Sequence, residues 1–277
     1  MVGYQRLSRE EKKHIREALM VKPAPSKQRL FVRVDDLKWL PLLRMEDVDG
    51  IILSFTRKEL ETFNFSDQLI QQNSHKIHIE LPKFISEELL SSYKILLKNI
   101  EGRGFKQFFV SHLSQKLCLE KSSTVSTNEN VYVYNDAAAK MLQENEVQDF
   151  CYPLENDFEN LHNMQNKQGI VVLHSYPELF FSRMPVSVFN EEKHFSDAAG
   201  KTFSKQTKDG MTIVIPEVPL SLFQYKRQLV KEGFSNFMID LNHEKPSKQT
   251  IKKIFEKYRS GEQYQPSGIF NFKKGLQ

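Results

Sequence analysis

Cysteine is scarce in this chain. Only Cys118 and Cys151 occur, with no C-x-x-C spacing and apolar neighbours on both sides. That excludes a disulfide framework and dithiol redox chemistry, and it suits free thiols in a reducing compartment, so a cytoplasmic location is expected. No apolar run approaches the ~18 residues of a membrane span, and the amino terminus carries no signal-peptide core. No membrane partner is therefore expected. H-E-x-x-H, zinc-type Cys/His spacing, a P-loop and G-x-S-x-G are all absent. Their absence removes the usual zinc hydrolase, nucleotide-binding and serine-elbow readings. His75 and His78 are three apart at the start of a strand, which places them on opposite faces and not on one metal. No metal and no cofactor are expected.

Glycine and proline are modest at 11 each, against 21 phenylalanines. That balance fits a packed protein. The 277 residues are enough for one large α/β domain or two small ones. The net charge is +4, with Lys and Arg concentrated in residues 1–30 and 245–277 and acid in 141–160. A mild terminal excess of this kind serves solubility, and a nucleic-acid footprint would need clustering on one face.

Residues 7–20, LSREEKKHIREALM, predict a charged helix with Ser8 and Glu11 as a capping box and an apolar stripe of Ile15, Ala18 and Leu19. Lys22–Lys27 contains two prolines and predicts a linker, so residues 1–27 are expected to be a helix and linker ahead of a domain at 28–277. From there strand-like and helix-like segments alternate. The strand candidates are LFVRV (30–34), GIILSF (50–55), KIHIEL (76–81), QFFVSH (107–112), VYVYN (131–135), QDFCYP (148–153), GIVVLH (169–174) and FMIDL (237–241). Most are continuous apolar runs, as buried parallel strands require, and most lead into a helix candidate capped by Asp35 or Asp36, Thr56, Ser86, Asp136 or Ser247. Eight such units predict an α/β fold, a (β/α)8 TIM-like barrel, with an open doubly wound sheet as the rival. After the seventh strand, KTFSK and MTIVI flank Lys208-Asp209-Gly210, which predicts an inserted β-hairpin.

Residues just past the carboxyl ends of parallel strands line the site in such folds. Here they are Asp35, Asp36, Thr56, Glu80, His112, Asn135, Glu155, His174, Asp240, His243 and Glu244. Glu155 and His174 are expected as an acid–base pair, with Asp240 beside them as a third catalytic candidate. Asn135, Arg183 and His112 are the binding candidates, Arg183 as an anion clamp. The competing reading makes Asp36, Thr56 and Asp136 helix caps and leaves the others solvated or hydrogen-bonded.

Seven segments also resemble, in order and spacing, the collagenase-like peptidase family of unknown catalytic type (peptidase family U thirty-two). They are LFVRVDDLKWL, NENVYVYNDAAAKML, VQDFCYPLENDFENL, IVVLHSYPELFFSRMPV, KTFSKQTKDGMTIVIP, EGFSNFMIDL and SGIFNFKKGL, and they run through residues 28–277. The resemblance implies a TIM-like barrel with a short sheet insert. It also implies either peptidase activity or, as in several relatives, support of RNA-base or ubiquinone-precursor hydroxylation, some with an iron–sulfur cluster on four cysteines. This chain departs from the pattern. Met184 follows Ser182-Arg183 where the family often has cysteine, Ser175 replaces a glycine, and Gly268-Ile269-Phe270 stands where Gly-His-Phe is common. Two cysteines cannot supply four thiolates, so no cluster of its own is expected. The chain looks most like the carboxyl-terminal barrel region of larger members. The expectation is a binding or scaffolding barrel whose partner is a catalytic-type barrel domain or another family protein. The alternative is an active peptidase, or an RNA-modification factor acting in RNA-base hydroxylation, with peptide or RNA as substrate.

Overall fold

A computed structural model describes residues 8–19, 27–183, 194–273 and 275. Helix α1 (Arg9–Leu19) forms with its expected capping box. The Glu11 N–H donates to Ser8 Oγ at 3.1 Å and the Ser8 N–H to Glu11 Oε2 at 2.7 Å. Ile15 is exposed. The Ala18 and Leu19 side chains and the predicted linker up to Ser26 lie outside the described residues.

Strands β1 (Arg29–Val34), β2 (Gly50–Leu53), β3 (Ile77–Glu80), β4 (Gln107–Val110), β5 (Thr124–Thr127), β6 (Val147–Phe150) and β7 (Ile170–Ser175) precede an insert of β8 (Phe180–Ser182), β9 (His194–Ser196), β10 (Thr202–Lys208) and β11 (Met211–Pro216). The short β12 (Leu220–Ser221) and then β13 (Asn236–Asp240) follow. One nine-stranded sheet has the order β12-β7-β13-β1-β2-β3-β4-β5-β6. Every pairing in it is parallel except that of β12 with β7. Helices α2 (Arg57–Thr62), α3 (Gln68–Gln72), α4 (Glu87–Gly102), α5 (Asp136–Glu144), α6 (Phe158–Asn163) and α7 (Lys226–Lys231) stand between the strands in sequence, and α8 (Lys248–Ser260) follows β13. The sheet curls far enough that Cys151, just past β6, makes a parallel bridge to Ile170 of β7. The described fold is thus mixed α/β with a curled, mainly parallel sheet, which is consistent with a TIM-like arrangement.

The fifth strand differs from expectation. VYVYN is not a strand; Glu129–Val131 is a short 3₁₀ turn and Tyr132 adopts a left-handed φ of 57°. The fifth strand is TVST (124–127) instead. Its hydroxyl residues hide a buried strand from a hydropathy reading, while Thr and Val supply β-branched stiffness. The segments after the first and fourth strands are 3₁₀ helices, Leu37–Leu42 and Leu113–Cys118. Pro41 inside the first removes a backbone donor that an α-helix would need.

Alternation along the strands sorts their side chains. Val32, Val34, Ile51, Leu53, Ile77, Ile79, Phe108 and Val110 belong to the large core that also holds helix residues such as Leu97, Leu142 and Ile254. Phe31, Ile52, Phe109, Cys151, Ile170, Val172 and Met238 form a separate apolar cluster on the inner face. At the amino-terminal end of this cluster Arg29 pairs with Asp149 and donates from Nε to Asn236 Oδ1 at 2.9 Å. At the carboxyl-terminal end stand Arg33, Glu80, Ser111, Asn128, Ser175 and Asp240, all buried. Apolar packing in the middle of the inner face therefore separates two polar ends.

The expected hairpin is present as β10 and β11, with Lys208 opposite Met211 and left-handed φ values at Asp209 (46°) and Gly210 (73°). Two positive φ values in a two-residue loop match the twist of the strands. The hairpin is part of a four-stranded sheet in the order β8-β11-β10-β9. Lys208 Nζ donates to the Ser54 carbonyl at 2.8 Å, which ties this sheet to the end of β2. Residues 184–193, including Met184, lie outside the described residues.

Candidate functional site

Arg33 of β1 organises the polar end of the inner face. Its Nη1 and Nη2 donate to the two oxygens of Glu129 at 2.8 and 2.7 Å, a bidentate pair. Nη1 also reaches Asp240 Oδ2 at 3.2 Å, and Nη2 reaches Glu80 Oε1 at 3.2 Å. Register explains the first of these contacts, because Arg33 and Asp240 are direct partners across β1 and β13. Asn128 Nδ2 donates to Glu80 Oε1 and to Ser111 Oγ, each at 2.9 Å. Ser175 Oγ donates to Asp240 Oδ2 at 2.9 Å, and the Asn242 N–H donates to Asp240 Oδ1 at 3.0 Å. One guanidinium thus faces three carboxylates.

Asp240 and Glu129 are shifted in opposite directions. Burial pushes the Asp240 carboxyl up to about 6, against the pull of Arg33. Burial also disfavours the charge on Glu129, but the Arg33 guanidinium overrides it and holds Glu129 below the usual carboxylate range. Burial works against the charge on Arg33 as well, and its carboxylates outweigh that and hold it firmly protonated. For the two carboxylates desolvation opposes the pull of Arg33; it wins at Asp240, where Glu129 and Glu80 also raise the carboxyl, and loses at Glu129.

A second group closes the cleft from the side of the inserted sheet. Glu178 accepts from Lys83 Nζ at 2.7 Å and is hydrogen-bonded to His243 Nε2 at 3.2 Å. Burial opposes its charge, but His243 and Lys83 together hold it well below the ordinary carboxylate range. His243 has a left-handed φ of 67°, places Nδ1 3.1 Å from Gln206 Oε1 of β10, and donates its backbone N–H to Asp35 Oδ2 at 2.9 Å. Burial raises the Asp35 carboxyl. The cleft between these groups spans about 830 Å³ up to and including its open mouth. Phe55, Leu81, Phe84, Leu154, Phe181, Met211 and Ile213 supply its apolar walls. Arg33 Nε and Asn242 Oδ1 are buried without a hydrogen-bond partner. Among the described residues no group of three or more His, Cys, Asp or Glu side chains is placed to hold a metal ion.

Of the strand-end residues expected from sequence, Glu80, Asp240 and His243 line this cleft; of the six singled out for catalysis or binding, Asp240 does, and Glu155, His174, Asn135, Arg183 and His112 do not. Glu155 and His174 do not pair. Glu155 accepts from the Tyr132 hydroxyl at 2.9 Å. His174 is fully buried, lies 3.1 Å from Glu244 Oε1 and stacks on Phe223. The cause is strand alternation: Ser175 faces inward, so its neighbour His174 faces the helices. Asn135 caps α5, its Oδ1 accepting from the Ala138 N–H at 2.9 Å. Asp136, expected as that cap, instead accepts from the backbone of Gln165 and Asn166. His112 is exposed and hydrogen-bonded to Ser114 Oγ at 2.7 Å. Arg183 lies over the ring of Phe84, 4.9 Å from its centroid, at the cleft's rim.

Sequence reasoning missed Arg33, Ser111, Asn128, Glu129 and Glu178 as site residues. A charged residue inside the apolar run LFVRV was the available signal for Arg33, since a buried strand tolerates such a charge only when it is paired. Glu129 and Asn128 were hidden by the misplaced fifth strand.

The fold and cleft define a class: an α/β protein with a curled, mainly parallel sheet and a polar cleft at the carboxyl ends of its strands. No family model matches the chain, and no curated protein matches it. Among solved structures it is similar to the U32 peptidase Mk0906, at 12% identity and a TM-score of 0.45 over 79% of this chain and 95% of that one. It is also similar to the Bacillus cereus spore cortex-lytic enzyme SleL, at 10% identity and a TM-score of 0.39 over 78% of this chain and 71% of that one. No helix among the described residues is long and apolar enough to cross a membrane.

Proposed function

We propose that the chain is a TIM-like barrel of the collagenase-like peptidase kind that binds a peptide in the cleft, and that Asp240 exchanges a proton with it during hydrolysis. One observation carries this reading. Asp240 sits at the end of β13 in the cleft, and its carboxyl is poised near 6 beside a firmly charged Arg33–Glu129 pair. A carboxyl that can be protonated or ionised near neutral pH is what general acid–base catalysis uses. Arg33 and Ser175 hold the carboxyl in one orientation, so Asp240 would meet a substrate without reorganising.

Cleavage of gelatin and of a fluorogenic peptide tests it. Asp240→Asn keeps the size of the side chain and removes the proton exchange. It is expected to lower kcat by about 100-fold or more while circular dichroism stays unchanged. Wild-type rates in Asp240→Asn would overturn the assignment.

A second reading is a binding barrel that recognises a peptide, or a catalytic partner domain, without cleaving anything. It is favoured by the saturation of Asp240, whose Oδ2 accepts from Ser175 and Arg33 and whose Oδ1 accepts from Asn242. Peptide binding by the wild type with no cleavage would select it.

A further inference from the structure

We propose that the inserted sheet of β8, β11, β10 and β9 is a lid that controls entry to the cleft. It is hinged where β7 and β12 lie side by side, and clasped across the mouth by Gln206 and Lys208. The lid follows from connectivity and packing, and it stands whether or not Asp240 performs chemistry.

The sheet has a single line of attachment. The chain leaves the nine-stranded sheet at Ser175 of β7 and returns at Leu220 of β12, and these two residues are direct partners in the antiparallel pairing of the strands. Between them, β8 to β11 pair with one another to make the separate four-stranded sheet. In the nine-stranded sheet β13 and β1 separate β7 from β2. Ser54, just past β2, therefore lies across the mouth from the hinge.

Register sets the face turned to the cleft. Phe181 of β8, Ile213 of β11 and Gln206 of β10 stand opposite one another, as do Met211 and Lys208. Residues in register share a face of a sheet. Phe181, Lys208, Met211 and Ile213 line the cleft accordingly. Among the described residues, no side chain of β8–β11 belongs to the large core or to the inner apolar cluster. The lid thus faces the rest of the protein across the cleft and shares no apolar core with it. An element with few shared apolar contacts opens at a lower free energy than the core beside it.

Polar contacts hold the far side instead. Lys208 Nζ donates to the Ser54 carbonyl at 2.8 Å, and Gln206 Oε1 lies 3.1 Å from His243 Nδ1. Lys83 Nζ lies over the ring of Phe181, 5.1 Å from its centroid. Each such contact contributes modestly, because opening returns its partners to water. Breaking them frees the sheet while β10 and β11 keep their own ladder. A unit hinged on one side and clasped on the other by a few exchangeable bonds can open and close over a site without unfolding.

Thiol labelling of the full chain tests the lid. Ile213→Cys places a reporter on its inner face, where Ile213 is 4% exposed. The native Cys151, fully buried in the inner apolar cluster, reports unfolding of the whole molecule. N-ethylmaleimide is added under native conditions and each thiol is read by peptide mass spectrometry. The introduced thiol is expected to react at least about 100-fold faster than Cys151. The double variant Gln206→Ala/Lys208→Met cuts both clasp contacts. It should speed the introduced thiol by about fivefold or more and leave Cys151 unchanged. Equal rates at the two thiols would mean that the cleft opens only by global unfolding, and would overturn the lid. A reporter unmoved by the double variant would overturn it as well. Met211→Cys, on the same face, serves as the reporter if Ile213→Cys does not fold. Catalysis has no part in these measurements. A lid that opens in a protein without cleavage removes only the role of Asp240, and cleavage without an opening lid removes only the lid.

Discussion

Asp240 carries a pH dependence that can be read in stability as well as in activity. Its ordinary value of 3.8 is moved to about 6 by burial. Between those values the folded chain holds a proton that the unfolded chain has released. Stability therefore falls as pH rises through that window, by on the order of 3 kcal/mol for a shift of this size. Glu129 and Glu178 act with the opposite sign, because charged partners hold both below the ordinary range. Their stabilisation is present above the unfolded value of 4.5 and lost as pH falls. The difference between wild type and Asp240→Asn isolates the first effect. Urea denaturation at a series of pH values should show the variant gaining on the wild type by roughly 3 kcal/mol from about pH 4 to about pH 7. A pH-independent difference would contradict the assignment. Little of this was legible in sequence. Asp240 was visible as a polar residue ending FMIDL, but its behaviour depends on Arg33 and Glu129, which lie 207 and 111 positions away in the chain. Spacing along the chain carries no trace of such a meeting.

Strands and turns were more legible, because their signals are local. The Asp209-Gly210 turn needed only two residues that tolerate positive φ between two β-prone runs. Thr56 and Glu59 form a full capping box at α2, with the Thr56 N–H 2.8 Å from Glu59 Oε2. The fifth strand failed because the cue was misleading: VYVY alternates strand formers, yet Tyr132 is more than half exposed in a left-handed turn. TVST looks polar, yet Ser126 and Thr127 are almost fully buried. Gly50 shows a constraint that local cues hide. A methyl group at Gly50 would lie 2.5 Å from Cδ1 of Phe31 on the neighbouring strand β1. Gly50→Ala should therefore displace Phe31 from the inner apolar cluster and destabilise the protein by about 1–3 kcal/mol, measured by chemical denaturation. A neutral result would mean that the Phe31 ring has room to move.

At the scale of the whole molecule the curled sheet sets the interior: polar groups at each end and an apolar cluster between. Helix α1 lies against α5, and its described side chains are exposed. Deleting residues 1–27 is expected to move the melting temperature by less than about 2 °C, because exposed side chains contribute little to the folded state. A larger fall, measured by differential scanning fluorimetry, would show that the segment is part of the domain.

Local sequence was enough to determine seven of the eight expected strands, the inserted hairpin, the caps at Thr56 and Ser247, and Asp240 as a residue at a strand end. These depend on backbone preference and on side chains within a few positions of one another. The site itself was decided only by tertiary structure. His174 was turned away from the cleft by one step of strand alternation, and Glu155 was left to bond Tyr132. The parallel register of β1 with β13 set Arg33 beside Asp240, and the loop after β5 brought Glu129 to the same guanidinium. Whether a carboxyl is charged inside a protein depends on which distant groups surround it and how little water remains, and both are properties of the folded chain.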